Sequence, residues 1–405
     1  MSELGLPRAE SPEQVGFSSA RLQRAADVIR HDVERRLIPG AVLAVARAGR
    51  IACMEAFGFR DREAGIPMTP DSIFRIASMT KPMTSVAAMM LSEEGRLDIA
   101  APVADYLPEF AAMTVGVERR PAARAMTVQD LLRHTSGLTY ATFGDSPVQM
   151  IWRDHNLMDE SETIAETVAK LGRLPLMFEP GTTWEYSMST DVLGRVVEIV
   201  SGKSLGAFFA ERICGPLGMP DTGFSATGER AARVAEPQAD ANTGQRPPMR
   251  DIAKPGPRES GGGGAVSTAA DYLRFCQMLL NGGELDGVRL LAPKTVALMT
   301  ADHLPPDVAY GETSRARFGA LAPVPEMGYG FGLGFAVRTA PGRSPVPGSV
   351  GEFFWGGVHG TYFWIDPQEQ MAAVLMMMAP ERRLPYRYLS RRLVYAALTR
   401  PRGRR

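Results

Sequence analysis

One buried helix constrains what this chain can fold into more than any other feature. Residues Thr84–Glu94 are rich in Ala, Met and Val, and Gly95 follows as a typical helix stop. A helix that is apolar on all sides belongs in the core of a sizeable protein. Ser78 and Lys81 stand three residues apart at its start, and residues at that spacing share a helix face. The sequence therefore predicts a lysine amine beside a serine hydroxyl at the N-terminal end of a buried helix.

The Ser78–Lys81 pair predicts a nucleophile with its own base. Burial favours the neutral form of a lysine side chain, and a neutral amine next to a serine hydroxyl can accept its proton. The chain has only five lysines among 405 residues, so a chance Ser-x-x-Lys match is expected less than once, and this is the only one. The alternative interpretation is an N-capping serine followed by an exposed lysine.

Composition and charge exclude several classes of protein. The length of 405 residues is more than one compact core usually holds, so two lobes are expected. Hydrophobic residues make up 45% and charged residues 22%, the balance of an ordinary globular protein. The net charge is zero and no long run of one sign occurs, which argues against a nucleic-acid or membrane-surface partner.

Neither a secretory signal nor a membrane-spanning segment is predicted. The N-terminal residues are polar and lack an apolar core, and no uninterrupted apolar stretch reaches about 18 residues, the length at which a spanning helix becomes plausible. The three cysteines, Cys53, Cys214 and Cys276, are far apart and odd in number, so no disulfide framework or metal-ligand spacing is visible. A cytoplasmic protein without membrane insertion is the expectation.

The order of hydrophobic patterns predicts the fold class. A helical pattern over Ser18–Leu37 leads into a β-hairpin, the middle of the chain reads as helices and loops, and strands return near the C-terminus before a closing helix. The predicted C-terminal elements are strands at Gly328–Val337, Phe353–Trp355, Thr361–Ile365 and Met371–Met378 and a helix at Tyr386–Leu398. This order predicts an α/β (α+β) fold with an antiparallel sheet flanked by the N- and C-terminal helices, plus a mostly helical second lobe.

The same order suggests where the two lobes divide. Residues 1–98 and 265–405 are expected to form the sheet-containing lobe, and residues 99–264 the mostly helical one. Ligand sites occur preferentially at interfaces of this kind, so the active site is expected in the cleft between the lobes.

Two further stretches invite functional interpretations that the sequence does not favour. His134 lies in a His-Thr-Ser-Gly turn and suggests a Ser–His–Asp triad, but the chain has no G-x-S-x-G nucleophile elbow. A structural hydrogen-bonding role for His134 is the preferred prediction. The run Gly261–Gly264 lacks the Lys-Ser/Thr partner of a phosphate-binding loop, so a hinge or close-packing turn is predicted there.

Five motifs in a fixed order connect the chain to a known family. They are Phe74–Pro82, Leu131–Leu138, Pro180–Thr182 with Tyr186-Ser187, Pro216–Met219, and Trp355–Gly357 with His359–Thr361. Together they resemble the serine β-lactamase/penicillin-binding-protein superfamily on its class C branch. Within that branch the chain looks most like the β-lactamase-related carboxylesterases (family VIII esterases) and acyltransferases, and the resemblance covers most of its length.

The resemblance implies roles for three side chains. Ser78 corresponds to the acylated nucleophile and Lys81 to its proton acceptor. Tyr186 matches the tyrosine of the second motif, which passes the proton to the leaving group and later helps to activate water. A phenol can do this only if a nearby positive charge lowers its pKa, and Lys81 is the candidate for that charge. Without the resemblance, Tyr186 would be interpreted as a core or interface aromatic residue.

The third motif implies how a substrate carbonyl is held, and it departs from the β-lactamase pattern. The backbone N–H groups of Ser78 and Val358 are expected to form the oxyanion hole, next to a substrate-binding strand. That strand consists of Trp355, Gly356 and Gly357. The glycines are expected to allow a carbonyl to approach the backbone closely.

Two substitutions make the predicted pocket more apolar than that of a β-lactamase. Trp355 stands where β-lactamases carry a lysine, and Met188 lies two residues after Tyr186, where the motif usually has asparagine. The pocket therefore lacks the cation that binds a β-lactam carboxylate, which favours neutral acyl esters as substrates.

The predicted function is that of a serine hydrolase that cleaves small-molecule carboxylic esters with short to medium acyl chains through an acyl-enzyme. No cofactor or metal is expected. An acyltransferase or transesterase uses the same residues and is the closest alternative. A β-lactamase or D-amino-acid peptidase ranks lower. A non-catalytic binding protein of the same fold is the remaining possibility, although such a protein would be free to lose Ser78, Lys81 or Tyr186.

Overall fold

An eight-stranded antiparallel sheet, built from both ends of the chain, forms the scaffold of the protein. A computed structural model describes residues 5–240 and 243–400. The N-terminal part of the sheet comprises β1 (Gly40–Arg47), β2 (Arg50–Asp61) and β3 (Ile66–Pro67). The C-terminal part comprises β4 (Tyr329–Phe331), β5 (Ala336–Arg338), β6 (Phe353–Gly356), β7 (Tyr362–Asp366) and β8 (Met371–Met377). The strand order is β4-β5-β6-β7-β8-β1-β2-β3, so β1 and β8 join the two ends of the chain.

Eleven α-helices are formed by the described residues. They are α1 (Ser19–Glu34), α2 (Thr80–Glu93), α3 (Val128–Leu132), α4 (Pro147–Arg153), α5 (Ile164–Leu171), α6 (Ser189–Ser201), α7 (Leu205–Phe209), α8 (Ala269–Leu280), α9 (Pro293–Met299), α10 (Glu312–Phe318) and α11 (Arg383–Ala397). Helix α2 is buried along almost its whole length, as its composition predicts, and it packs against α6.

Helices cover both faces of the sheet. Successive residues of a strand point to opposite faces of the sheet. On β7, Tyr362 accepts a hydrogen bond from Arg391 of α11, and the next residue, Phe363, packs against Tyr272 of α8. Helix α1 packs against α11 and β2. Every residue of β1 is buried, as expected for a strand covered on both faces. These contacts confirm the predicted β-lactamase-like arrangement of an antiparallel sheet flanked by the N- and C-terminal helices.

The predicted strand at Gly328–Val337 is the clearest error in the secondary-structure prediction. The segment forms two short strands, β4 and β5, that pair with each other in a hairpin. Gly334 adopts a φ of +106° in the turn between them, a conformation that glycine adopts easily and other residues avoid. The aromatic and apolar residues on both sides of the turn hid it from a pattern-based prediction.

Residues 99–264 contain the helices α3–α7 and, among described strands, only two-residue ones such as Thr183–Trp184. The division into two lobes at 98/99 and 264/265 stays a prediction. Over the part of the chain that the structure describes, no helix is both long and apolar enough to cross a membrane. The three cysteines are free thiols.

Candidate active site

Ser78 lies on the wall of a cavity of about 360 Å³. It belongs to a short 3-10 turn, Ala77–Met79, that runs directly into α2. Ala77 has a φ of +46°, in the left-handed region that non-glycine residues rarely adopt. Such strain persists only where the surrounding structure enforces it, and it often marks functional sites. The turn leaves Ser78 half-buried at the cavity surface.

The other predicted site residues divide between the cavity surface and the layer behind it. Tyr186, Gly356 and Val358 line the cavity together with Ser78. Lys81, Trp355 and Gly357 lie behind that surface. Lys81 is 1% exposed and Trp355 2% exposed, so neither side chain is open to bulk solvent.

The Lys81 amine is held by oxygen atoms and an aromatic face. Nζ donates to the hydroxyl of Tyr140 at 3.0 Å and to the carbonyl of Gly262 at 2.6 Å. It also lies 4.6 Å from the centroid of the Tyr186 ring, within the range of a cation–π interaction. Burial lowers the pKa of Lys81, but Tyr140, Tyr186 and Asp191 raise it by more, so the net shift is upward.

The surroundings of Lys81 bear on two expectations. Tyr140, Tyr186 and Asp191 favour its ammonium form, whereas burial alone favours the neutral amine, so the predicted role of Lys81 as proton acceptor stays a prediction. Among the described residues, the hydrogen bonds of Nζ go to Tyr140 and Gly262, and none joins it to the Ser78 hydroxyl. Ser78 lies in the turn that leads into α2 and Lys81 in the first turn of that helix, but this spacing does not reveal which acceptors take the ammonium protons.

Tyr186 lies just before α6 and is 5% exposed. Its backbone N–H donates to Ser314 at 3.0 Å, and its hydroxyl accepts a hydrogen bond from the indole Nε1 of Trp355 at 3.1 Å. The rings of Phe143 and Phe318 pack against it at centroid distances of 6.0 and 5.2 Å. Trp355 thus replaces the expected lysine with a neutral donor that points at the phenol oxygen.

The two glycines after Trp355 are closely packed by protein atoms. A Cβ on Gly356 would lie 2.7 Å from the guanidinium carbon of Arg387, and one on Gly357 would lie 2.4 Å from the carbonyl oxygen of Ile76. Packing therefore gives one reason for both glycines, and close approach of a substrate carbonyl stays a prediction for Gly356, which lines the cavity.

The amide of Val358 is available for a ligand. The neighbouring Gly357 N–H donates to the Thr361 carbonyl at 2.8 Å, and Gly360 donates to Gly357. Across residues 5–240 and 243–400, the Val358 N–H has no protein acceptor. Its side chain is exposed, at 48%.

The glycine run forms a close-packing turn, as predicted, and also contributes to the site. A Cβ on Gly262 would lie 2.3 Å from an Asp191 carboxylate oxygen. Asp191 accepts hydrogen bonds from the Gly262 N–H at 3.2 Å and from Ser260. This packing directs the Gly262 carbonyl to Lys81.

His134 is part of the structural layer behind Tyr186. It is buried and does not line the cavity, its Nδ1 lies 3.3 Å from the Ser187 hydroxyl, and its ring packs 4.8 Å from that of Tyr186. Burial, and then the charge of Lys81, lowers the pKa of His134 well below its ordinary value. These contacts agree with the predicted structural role.

Comparison with known proteins identifies the family. The sequence profile of the β-lactamase family matches residues 25–396. The chain belongs to the β-lactamase family. Protein Rv1367c of Mycobacterium tuberculosis (strain ATCC 25618 / H37Rv) is 37% identical over 365 residues, covering 86% of this chain and 88% of that protein.

Two further relatives of this β-lactamase-family protein have a described activity. Esterase EstB of Burkholderia gladioli is 34% identical over 365 residues, covering 85% of this chain and 86% of that protein. The solved structure of EstCE1, a hydrolase with promiscuous acyltransferase activity, has a TM-score of 0.78 and 27% identity, covering 93% of this chain and 98% of that one. The β-lactamase-fold serine hydrolases to which this protein belongs therefore include esterase relatives.

Several residues of this β-lactamase-family site escaped the sequence analysis. Tyr140 belongs to no helix or strand and lies 59 positions from Lys81, so no spacing connects the two. Asp191 looked like an ordinary residue in the first turn of α6. No group of three or more His, Cys, Asp or Glu side chains in the described ranges is arranged to hold a metal ion.

Proposed function

We propose that this protein is a serine hydrolase that cleaves carboxylic esters with short to medium acyl chains through an acyl-enzyme on Ser78. The observation that carries the proposal is the cavity itself. It is lined by Ser78, Tyr186 and Val358, and the buried ammonium of Lys81 lies beneath the Tyr186 ring. This combination supplies a nucleophile, a proton carrier and an unpaired N–H donor around one small space.

Tyr186 is the proposed proton acceptor, and Lys81 supplies the charge that makes this possible. A lysine that stays protonated cannot take a proton from Ser78. The Trp355 N–H donates to the Tyr186 oxygen, and the Lys81 ammonium lies against the Tyr186 ring, so both can interact with negative charge on that oxygen during proton transfer. Lys81 therefore acts here as a fixed positive charge rather than as the base itself.

The proposed reaction has two halves. In the first, Tyr186 reacts in its deprotonated form: Ser78 Oγ attacks the ester carbonyl, the serine proton passes to the Tyr186 oxygen, and the tetrahedral oxyanion lies between the N–H groups of Ser78 and Val358. Collapse breaks the ester C–O bond, and the departing alcohol takes the proton from Tyr186. In the second, a water attacks the acyl-enzyme and gives a proton to Tyr186, which returns it to Ser78 as the carboxylic acid leaves.

Acyl transfer is the second candidate function. It uses the same acyl-enzyme, with an alcohol in place of water in the second half. The similarity to EstCE1, described as a hydrolase with promiscuous acyltransferase activity, favours acyl transfer over β-lactam hydrolysis, D-amino-acid peptidase activity or non-catalytic binding.

The test is intact-protein mass spectrometry with a short-chain p-nitrophenyl ester while nitrophenol release is followed. The wild type is expected to show a transient acyl adduct and steady release, and Ser78→Ala neither. Ser92→Ala, on the same helix but away from the cavity, is the matched control and should behave as the wild type. An adduct that persists in Ser78→Ala would show that another residue is acylated. Added alcohols then reveal any transfer product.

A further inference from the structure

The charged side chains around the cavity are unequal in sign, although the whole chain carries no net charge. Six arginines line the cavity, against the carboxylates of Glu160 and Asp191. The arginines are Arg75, Arg250, Arg258, Arg317, Arg383 and Arg387. A cavity walled by one sign of charge concentrates ligands of the opposite sign.

Three of these arginines are held by several protein groups. Arg75 forms an ion pair with Glu236 at 3.0 Å. Arg258 donates three hydrogen bonds, including one to the Leu157 carbonyl at 2.8 Å, and Arg250 donates to two main-chain carbonyls. The other three each donate a single hydrogen bond to a main-chain carbonyl and form no ion pair with any carboxylate of the described residues; they are Arg317, Arg383 and Arg387.

Arg387 is the best-defined member of this second group. It is 5% exposed, and its Nη2 donates to the Gly357 carbonyl at 2.7 Å, which fixes the guanidinium beside Gly356. Its Nε has no hydrogen-bond partner in the described part of the chain. A buried, charged donor without an acceptor is costly for a protein to keep. The position is next to the Val358 amide, where the ester carbonyl is proposed to bind.

Arg383 and Arg317 place two more charges on the cavity wall, and Arg383 is close enough to interact electrostatically with both Arg317 and Arg387. Arg383 lies one turn before Arg387 on α11, so the two share a helix face. Arg317, at the end of α10, lies 3.8 Å from the centroid of the Phe143 ring and donates to the Thr142 carbonyl. Burial lowers the pKa of Arg317, repulsion from Arg383 lowers it further, and the Glu185 carboxylate raises it. An anion bound between Arg317 and Arg383 would reduce the repulsion between them.

We propose that the natural ester carries a carboxylate, which Arg317, Arg383 and Arg387 bind beside the Val358 amide. A guanidinium matches a carboxylate with two parallel N–H···O bonds. A single negative charge suits the cavity better than a phosphate dianion, because Glu160 and Asp191 line the same space. This inference rests on the proposed ester hydrolysis and names its substrate class. It replaces the expectation of neutral esters, which considered only Trp355 and Met188.

The test compares esters that differ only in charge. Mono(4-nitrophenyl) adipate has a carboxylate on its acyl chain, and methyl 4-nitrophenyl adipate is its neutral counterpart. With spontaneous hydrolysis subtracted, kcat/KM is expected to be at least about tenfold higher for the acid, the lower end of the range for a charge-assisted hydrogen bond. 4-Acetoxybenzoate and its methyl ester make the same comparison on the alcohol side. A preference in one pair shows which side carries the carboxylate, and no preference in either pair overturns the proposal.

Arginine variants show whether the preference comes from this cluster. Arg383→Gln is expected to reduce the ratio of kcat/KM for the acid to kcat/KM for the methyl ester by about tenfold. Arg317→Gln provides a second test on a different helix. Arg392→Gln, exposed and on the same helix as Arg383, is the matched control and should leave the ratio unchanged. Added salt should also reduce the wild-type ratio. An Arg383→Gln ratio equal to that of the control contradicts the assignment.

A binding measurement separates this proposal from the proposed reaction. Ser78→Ala is titrated calorimetrically with monomethyl adipate and with dimethyl adipate. The monoacid is expected to bind at least about tenfold more tightly, whether or not the wild type hydrolyses any ester. Equal affinities overturn carboxylate binding. If the wild type shows neither hydrolysis nor an acyl adduct while Ser78→Ala binds the monoacid selectively, the hydrolase proposal is overturned. Carboxylate binding then still stands.

Discussion

Two of the buried cation clusters in the described part of the protein balance their positive charge in different ways. In the first, Arg391 and Arg338 both donate to the same oxygen of Glu352, at 2.7 and 2.8 Å, and all three side chains are almost completely buried. The phenol of Tyr362 accepts from Arg391 at 2.7 Å, and that of Tyr395 donates to Glu352 at 3.1 Å. This Glu352 cluster carries its own anion.

In the second cluster, the contacts of Lys81 within residues 5–240 and 243–400 include tyrosines but no carboxylate. Tyr140 and the Gly262 carbonyl take the ammonium protons, and Tyr186 offers only its ring face. The carboxylate of Asp191 acts from further away, on the other side of Gly262.

The difference indicates what each cluster does. Opposite charges within the Glu352 cluster offset one another inside the protein, so their effect is on folding. The positive charge of Lys81 is directed at a phenol on the cavity wall, where it can stabilise negative charge that appears during a reaction. Substitutions in the two clusters should therefore separate into effects on stability and effects on turnover.

The largest effect is expected from Tyr186→Phe. Loss of a proton-transfer group typically lowers turnover by about 10²–10⁴-fold. The variant also leaves the buried indole N–H of Trp355 without its acceptor, which costs about 1–3 kcal/mol of stability. Steady-state kinetics measure the loss of turnover, and urea unfolding measures the loss of stability. Tyr106→Phe, whose hydroxyl accepts from the Asp98 amide away from the cavity, is the control. Unchanged turnover in Tyr186→Phe removes the phenol from the mechanism.

Glu352→Gln should act on stability instead. It leaves two buried guanidinium groups without their shared counter-ion, and removal of one partner from such a buried cluster costs about 3–5 kcal/mol. Urea unfolding should show the loss, while turnover per folded molecule falls far less than in Tyr186→Phe. Glu381→Gln, an exposed residue, should change stability by less than about 0.5 kcal/mol. A Glu352→Gln protein as stable as the wild type refutes the structural role of the cluster.

Tyr140→Phe sharpens the role of the Lys81 cluster and is expected to have a smaller effect. It removes one of the two hydrogen bonds to the ammonium, and a bond to a charged group is worth about 1.5–3 kcal/mol, or roughly tenfold or more in kcat/KM. Because Tyr140 raises the pKa of Lys81, its removal should lower that pKa. The kcat/KM at neutral pH is the measurement, with Tyr106→Phe as the control. A Tyr140→Phe variant with the kcat/KM of the wild type would show that this hydrogen bond to the ammonium is not required.

How far the sequence could predict this arrangement differs between its parts. Hydrophobic periodicity predicts the order of helices and strands well, because α2 and β1 bury almost every residue and leave a strong apolar pattern. The rarity of lysine makes Ser78 and Lys81 visible as a pair. The turn inside Gly328–Val337 was missed because aromatic residues surround the glycines.

The partners of the site residues were beyond the reach of the sequence. Tyr140 reaches Lys81 across 59 residues, and Arg387 reaches Gly357 from the closing helix, contacts that depend on tertiary packing and leave no local pattern. Trp355 appeared in the sequence as the loss of a cation, whereas the structure gives its indole N–H to Tyr186. Identity and spacing describe which groups are present, but hydrogen bonds decide what each one can do.

The smallest effect is expected from His134→Asn, which tests whether a histidine so close to Tyr186 takes part in turnover. The φ of His134 is +58°, a conformation that asparagine tolerates, and a short amide can still bond Ser187. Turnover should fall by less than about tenfold, below the contribution of a proton-transfer group. Because burial lowers the pKa of His134 in the folded state, the unfolded chain binds the extra proton, so the wild type should lose stability as the pH falls through about 6.5. Urea unfolding between pH 8 and 5 should show that the stability of His134→Asn falls less with decreasing pH than that of the wild type. If turnover of a folded His134→Asn protein falls as far as that of Tyr186→Phe, the Ser–His mechanism is revived.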